Sequence, residues 1–511
     1  MRSTINGQSD VRGRALNLLF LLALGLTLVV GPVAFAEDKP PAAPGNEPGK
    51  EDPEKKDESD PGKEEPAKPD AEEPPVFVLS EKDRKKVAKE LNKFLVPAKK
   101  SGSHASAGID KLAQKKIDGH SILEDVAAIS DIANASRVFG TKAGRKGSIV
   151  TKKVSPKVHG FPGGVGTVAY SIYLPKSYNP KKLWPVLFCL PDTGDYPVTS
   201  NYIKDVWLKS PTIRDGYIVV VPTPSAKGKK WRSDAKSYAR ALIALRHVAG
   251  TFGASSKTGG PASDYSRIFV DGADTAALLG ARFSEFFAGA ILRGSDGRAG
   301  SFRLRQFGGL NALPAYCIVN PKKNKQTKFA AMLKVDNDAT AIVESEDPIA
   351  ADAEEIAKWM NGLPPRTQPR SIEYTVHNSS FQRHHWINVL RFDSSLDPPA
   401  GFEAEANRAT NTVTVHVRGV TQFEISLNDA LVDLNEEVTI VVVEGDKTFE
   451  VLKGKLTRDL GAMLNELIET NQPWRIYPTR ITVDMPTVRR KAAEAEAARK
   501  AKEAAEKEAG K

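Results

Sequence analysis

The sequence predicts an α/β protein with a mostly parallel sheet, preceded by a small helical domain and followed by a small β-rich module. Three observations carry that expectation. Continuous apolar runs at Trp184–Leu190, Tyr217–Val221, Ile268–Val270 and Leu313–Val319 are what strands buried on both faces require. Helical stretches fall between them, at Ser237–Ala249 and after Gly272, and alternating strands and helices imply a parallel sheet with right-handed crossovers. Beyond Pro398–Gly401 the pattern turns to alternation, as in Val413, Val415, Val417 and Phe423, Ile425, Leu427, which sets off a β-rich module over 402–486.

The chain has 511 residues, room for two to four domains, with 40% hydrophobic and 27% charged residues, an ordinary globular composition. Arg2, Arg12 and Arg14 precede the apolar run Ala15–Val30, and Ala34-Phe35-Ala36 follows as a small-residue cleavage site. Residues 1–36 therefore read as a signal peptide and the protein as exported, to a periplasm, cell envelope or medium. An uncleaved N-terminal membrane anchor is the alternative, because the uncharged stretch is long enough to span a bilayer of about 30 Å. Residues 37–75 are proline, lysine and carboxylate with little to bury, hence a disordered linker.

Ordered structure is expected from Val76. Ser80 with Asp83 three residues on resembles a capping box, and Val87, Leu91, Phe94 and Leu95 share one helical face. Two further helices, over 109–117 and 121–135, complete a helical domain at 76–139. The basic, glycine-containing stretch 140–157 reads as a linker, and the main domain as 158–395. Ile372–Val376 and Trp386–Leu390 are expected to pair as a hairpin leading to the next domain. After the β-rich module, residues 487–511 are Ala, Lys, Arg and Glu without an apolar stripe, a solvated helix or a disordered arm.

The chain is organised around Ser266–Arg282, a short buried strand that turns at Gly272 into an Ala/Leu-rich helix. With Tyr170-Ser171-Ile172-Tyr173-Leu174-Pro175 and Trp184–Leu190 upstream, this layout resembles a secreted α/β-hydrolase. It is most similar to the esterase and prolyl-oligopeptidase-like branch, over about residues 158–392. The resemblance implies a nucleophile elbow, Gly-x-Ser-x-Gly, with a histidine base, an orienting acid and backbone oxyanion donors.

The residues at those places differ from the family's pattern. The elbow reads Gly272-Ala273-Asp274-Thr275-Ala276, which puts Asp274 in the nucleophile slot. An aspartate can attack carbon, but it cannot perform serine esterase chemistry. Asp274 and Thr275 are also good helix-capping residues, and capping is the expected role of Asp274. The oxyanion turn reads Pro191-Asp192-Thr193-Gly194; proline offers no N–H, and Asp192 would set a carboxylate where negative charge develops. No carboxylate follows Val319 until Asp336, and the Ala341–Pro348 region lacks a histidine. In chain order His377 is the candidate base, with His384 next; His384 and His385, adjacent on a strand, should point to opposite faces. His247 and His159 read as structural.

Cys189 and Cys317 both lie in apolar runs and read as buried hydrophobes. No cofactor or metal motif is present. The net charge is +10, and residues 37–75 hold 6 Lys against 14 Asp/Glu, a net of −8, so the rest carries +18. Such a surplus suits an anionic envelope polymer or membrane surface; with no nucleic-acid module, nucleic acid is not an expected partner. The functional expectation is an exported pseudo-hydrolase that binds or scaffolds in the cell envelope. The alternatives are an active hydrolase using Asp274 with a downstream histidine, and a purely structural envelope protein.

Overall fold

A computed structural model describes residues 79–95, 128, 144–154, 165–191, 196, 198–224, 231, 235–250, 260–299, 302–303, 309–364, 366, 368–376, 383–396, 399–459, 463 and 475–509. The stretches read as signal peptide and linker, the second helix expected before residue 139, the third except for residue 128, Asp192 and His377 lie outside these residues.

Eight strands form the main sheet: β1 (Ile149–Val154), β2 (Val168–Tyr173), β3 (Trp184–Leu190), β4 (Ile218–Pro222), β5 (Ser263–Gly272), β6 (Gly289–Arg293), β7 (Ala315–Val319) and β8 (Ala341–Glu344). They lie in the order β1-β2-β4-β3-β5-β6-β7-β8. β2 runs antiparallel to β1 and β4, and every other neighbouring pair is parallel. This is the α/β-hydrolase strand order with only the second strand reversed. β1 corrects the reading of 140–157 as a linker: Ile-Val-Thr-Lys-Lys-Val is an edge strand whose lysines keep its free edge soluble.

The pleat divides the apolar residues between two helical layers. Val186, Phe188, Leu190, Ile218 and Val220 point into one core, which takes in helix α4 (Ala235–Gly250), α5 (Asp274–Arg282) and Phe329 and Leu333 of α6 (Asn324–Asp336). Leu187, Cys189, Val219 and Val221 point into the other, against α2 (Thr199–Tyr202) and the π turn Ile203–Trp207 that follows it, α3 (Pro211–Gly216) and α7 (Ala353–Gly362). Cys189 and Cys317 are free, buried thiols. The first helix, α1 (Glu81–Leu95), carries the Ser80–Asp83 capping contacts, and its Val87 and Ala88 belong to the first of these cores.

A second unit begins at Ser371, well before residue 402. β9 (Ser371–Thr375), β12 (Gly401–Asn407), β13 (Thr412–Arg418), β15 (Glu437–Glu444) and β16 (Lys447–Lys455) form one sheet in the order β9-β12-β13-β15-β16. The two-residue β10 (Arg383–His384), β11 (Ile387–Phe392), β14 (Val420–Leu427) and β17 (Thr479–Asp484) form the other. The expected hairpin is absent: β9 pairs with β12, and β11 with β14. Its two halves are each apolar on one face, and both are used to close one shared core between the sheets. The last helix, α8 (Met485–Ala509), continues directly from β17. Met485 is buried, Val488 and Ala492 pack on that core and Arg489 grips Glu444 with Nε–Oε2 2.8 Å, while the remainder is solvated. Met485→Ala is therefore expected to cost about 2–5 kcal/mol in urea denaturation, whereas deleting 494–511 should shift stability by less than about 0.5 kcal/mol.

Candidate active site

The turn after β5 is the geometric centre of this edge of the sheet. Gly272 has φ +149°, and a Cβ there would stand 2.3 Å from the Leu190 carbonyl oxygen of the neighbouring strand. Only glycine fits. The bend itself falls on Ala273 (φ −96°, ψ −124°), neither helical nor extended, and α5 starts at Asp274. The residue on the bend is thus alanine, and Asp274 stands one position further on, in the helix's first turn.

Asp274 is not a cap of its own helix, contrary to expectation; the N-cap residue is Ala273 and makes no side-chain bond. Its carboxylate reaches sideways and accepts from Ser295 Oγ–H (2.7 Å) and from the Asp296 N–H (3.2 Å), in the turn after β6. Burial raises the Asp274 pKa above the ordinary aspartate value, against the lowering effect of the Ser295 hydrogen bond. Two donors fasten this group and the helix dipole favours its charge, so it serves to tie the elbow to the neighbouring turn.

Beside it lies a buried ion pair. Asp271, the residue before Gly272, accepts from Arg293 Nε (2.7 Å), Tyr202 Oη (2.7 Å) and Trp207 Nε1 (3.1 Å). Both charged side chains are essentially without solvent exposure, 0% and 1%. Arg293 also donates to the Pro348 and Ile349 carbonyls (2.9 and 3.4 Å), and its guanidinium sits over the Trp207 ring at 4.8 Å. Burial opposes the Arg293 charge, yet Asp271 lifts its pKa above the usual arginine value. Burial, reinforced by Asp271, pushes the Cys189 thiol well up, so it is no nucleophile.

The family's acid and base slots are used structurally. After β7, Asn320 Nδ2 donates to the Glu346 carbonyl (3.0 Å). The loop after β8 supplies the carbonyls that hold Arg293. A cavity of about 300 Å³ opens beside that loop, lined by Asp205, Lys209, Ser210, Ile349 and Glu354 among others. Glu354 there accepts from Ser210 (2.5 Å) and Thr212 hydroxyls, which hold its carboxyl below the usual range.

The described histidines lie elsewhere. His384 and His385 are both buried near the opposite end of α5, where His385 Nε2 meets Ser284 Oγ at 3.0 Å. Asp274 opens a nine-residue helix, about 12 Å from its far end, so neither histidine serves it. The two rings do not point to opposite faces. β10 ends at His384 and His385 turns back with φ +50°, which brings the rings edge to face at 4.7 Å. His247 is structural: its Nδ1 meets Tyr170 Oη at 2.7 Å, and burial lowers its pKa to about 4. His416 is exposed on β13. Among the described residues no three His, Cys, Asp or Glu side chains are grouped to hold a metal, and no helix is long and apolar enough to cross a membrane.

Sequence reasoning missed the Asp271–Arg293 pair. Its signal was present: a charged residue ends each of two adjacent apolar strands, Ile268–Val270 and Gly289–Leu292.

Strand order, elbow and crossover helices define an α/β-hydrolase fold. No protein-family model and no curated protein match the chain. Among solved structures, a thermostable esterase is 15% identical over 42% of this chain and 62% of its own, with a TM-score of 0.30. A ferulic acid esterase is 14% identical, covering 42% of this chain and 98% of that one at 0.32. A dienelactone hydrolase from Anabaena variabilis is 12% identical, covering 43% and 99% at 0.29. This chain thus spans under two thirds of the thermostable esterase. Likeness at this level carries no argument about chemistry, and the fold assignment rests on the strand order.

Two stability outcomes follow from this geometry. Gly272→Ala should cost about 2–4 kcal/mol by urea denaturation. Arg293→Met, which strands the Asp271 charge, should cost about 3–5 kcal/mol, and Asp271→Leu added to it should recover much of that loss.

Proposed function

We propose that this is an exported α/β-hydrolase-fold protein that has lost acyl-transfer chemistry and acts as a binding or scaffolding component of the cell envelope. The observation that carries the reading is the occupation of the catalytic edge of the sheet. The bend residue is Ala273, the Asp274 carboxylate is tied to Ser295 and Asp296, and the loop after β8 is held by Arg293 through backbone carbonyls. Acyl transfer needs a nucleophile with a base in reach, and the described groups at this edge are committed to one another instead. Export is supported by the Arg-flanked apolar run and the Ala34-Phe35-Ala36 site.

The binding partner suggested by the charge is an anionic envelope polymer or membrane surface, since residues 76–511 carry +16. Full-length mature protein should turn over p-nitrophenyl esters and simple epoxides no faster than its Asp274→Ala variant. It should co-sediment with anionic polymer or phosphatidylglycerol vesicles at low salt and be released at about 0.5 M salt, where the Debye length falls below 5 Å. Ester or epoxide turnover abolished by Asp274→Ala would favour the aspartate-nucleophile hydrolase instead. Absence of both turnover and binding would leave the purely structural envelope role.

A further inference from the structure

The two units have separate apolar cores, and much of what joins them is polar. The body contributes Arg282, Ser284, Glu285 and Phe286 at the C-terminal end of α5; the connecting segment contributes Arg366; the sandwich contributes Tyr374, Arg383, His384, His385 and Arg475. Ser284 meets His385 at 3.0 Å, Arg366 donates to the Phe287 carbonyl, and Arg475 lies over the Phe286 ring at 5.9 Å. Ile476 and Met463 add apolar contact with the body's core. His384 is 0% exposed, its ring is stacked on Tyr374 at 4.5 Å and 13°, and neither ring nitrogen has a hydrogen-bond partner. A bare imidazole is being used as an aromatic plate. Its neighbour is held in a left-handed turn at φ +50°, a conformation that persists only where surroundings enforce it.

We propose that the His384–His385 pair is an acid-released latch between the hydrolase-fold body and the β sandwich. Both rings are compatible with the closed junction only when neutral, because an imidazolium would be buried, short of acceptors and beside cations. The groups facing them are Arg366 and Arg475 for both rings, Arg383 for His385, Tyr374 for His384 and Ser284 for His385; Glu285 lies in the same cluster, facing the same arginines. Burial, then Arg475 and Arg366, lowers the His384 pKa to about 3, and burial with His384 and the arginines lowers His385 well below its ordinary value.

The sign follows from proton linkage. An opened junction lets each histidine titrate near 6.5, so the open form gains protons as pH falls below that value while the closed form does not. Opening becomes more favourable by about tenfold per pH unit per histidine. Glu285 acts in the opposite sense, since burial raises its pKa in the closed form. Two histidines against one glutamate leave a net opening on acidification, while each unit keeps its own core.

Hydrogen exchange by mass spectrometry on the full chain tests this, read as protection of 383–392 and 475–484 corrected for intrinsic rates. From pH 6.5 to 5 the opening constant should rise by about 15-fold for each histidine released, less the opposing contribution of Glu285, while β3–β7 stay protected. His384→Phe keeps the stack on Tyr374 and should remove about 15-fold of that rise; combined with His385→Gln the rise should disappear, leaving only the opposite, closing trend set by Glu285. Should the double variant fail to fold, His384→Phe alone decides. Unchanged protection in the wild type across this range, or an equal rise in the His384→Phe variant, overturns the latch.

Discussion

Everything at the carboxyl edge of the main sheet depends on one buried ion pair, Asp271 with Arg293. Two opposite charges with essentially no solvent exposure are tolerable only when most of the remaining hydrogen-bonding capacity is satisfied, since desolvation of either ion costs several kcal/mol. Tyr202, Trp207 and the Pro348 and Ile349 carbonyls supply most of those bonds, and Arg293 Nη2 is left buried without one beside the Trp207 ring. The pair thereby fixes four elements at once: the end of β5, the end of β6, the π turn after α2 and the loop after β8. Removal of any one partner leaves a buried charge. The edge is therefore rigid by electrostatic necessity as well as by packing.

That rigidity bears on function. A hydrolase of this fold keeps this edge polar and accessible, with a strained turn presenting a nucleophile to a base carried by the loop after the last strand. In this chain the same loop is clamped by an arginine. The elbow survives as backbone, with Gly272 still pressed against the Leu190 carbonyl, while the side chains around it bond to one another. Under the proposed reading, the fold is retained for stability and surface, and binding is carried by charge distributed over the rest of the molecule.

Much of the fold was legible because it follows from periodicity. Buried parallel strands must be apolar on both faces, so β3, β4 and β7 announce themselves. β1 did not: Ile149–Val154 is half lysine and polar, as an edge strand should be, and reads as linker. The Ser371–Leu390 region misled for another reason. Two neighbouring strand-like runs suggest a hairpin locally, and only tertiary packing assigns them to different sheets. At the site, the sequence placed the elbow but misjudged its register by one residue, since the bend on Ala273 is a backbone fact. It also read Asp274 as a cap, because the partners Ser295 and Asp296 come from a turn 21 and 22 residues away. The adjacent histidines read as alternating because a positive φ at a non-glycine residue cannot be anticipated from composition.

The most direct test of the central claim, that Asp274 is a structural acceptor and not a nucleophile, is isotope incorporation. An aspartate that attacks carbon and is then hydrolysed takes one oxygen from water into its own carboxylate. The protein would be incubated in ¹⁸O-water with excess activated esters and epoxides, and the peptide carrying Asp274 weighed by mass spectrometry. The account predicts no ¹⁸O at Asp274; an added ¹⁸O in that peptide, dependent on substrate, would contradict it.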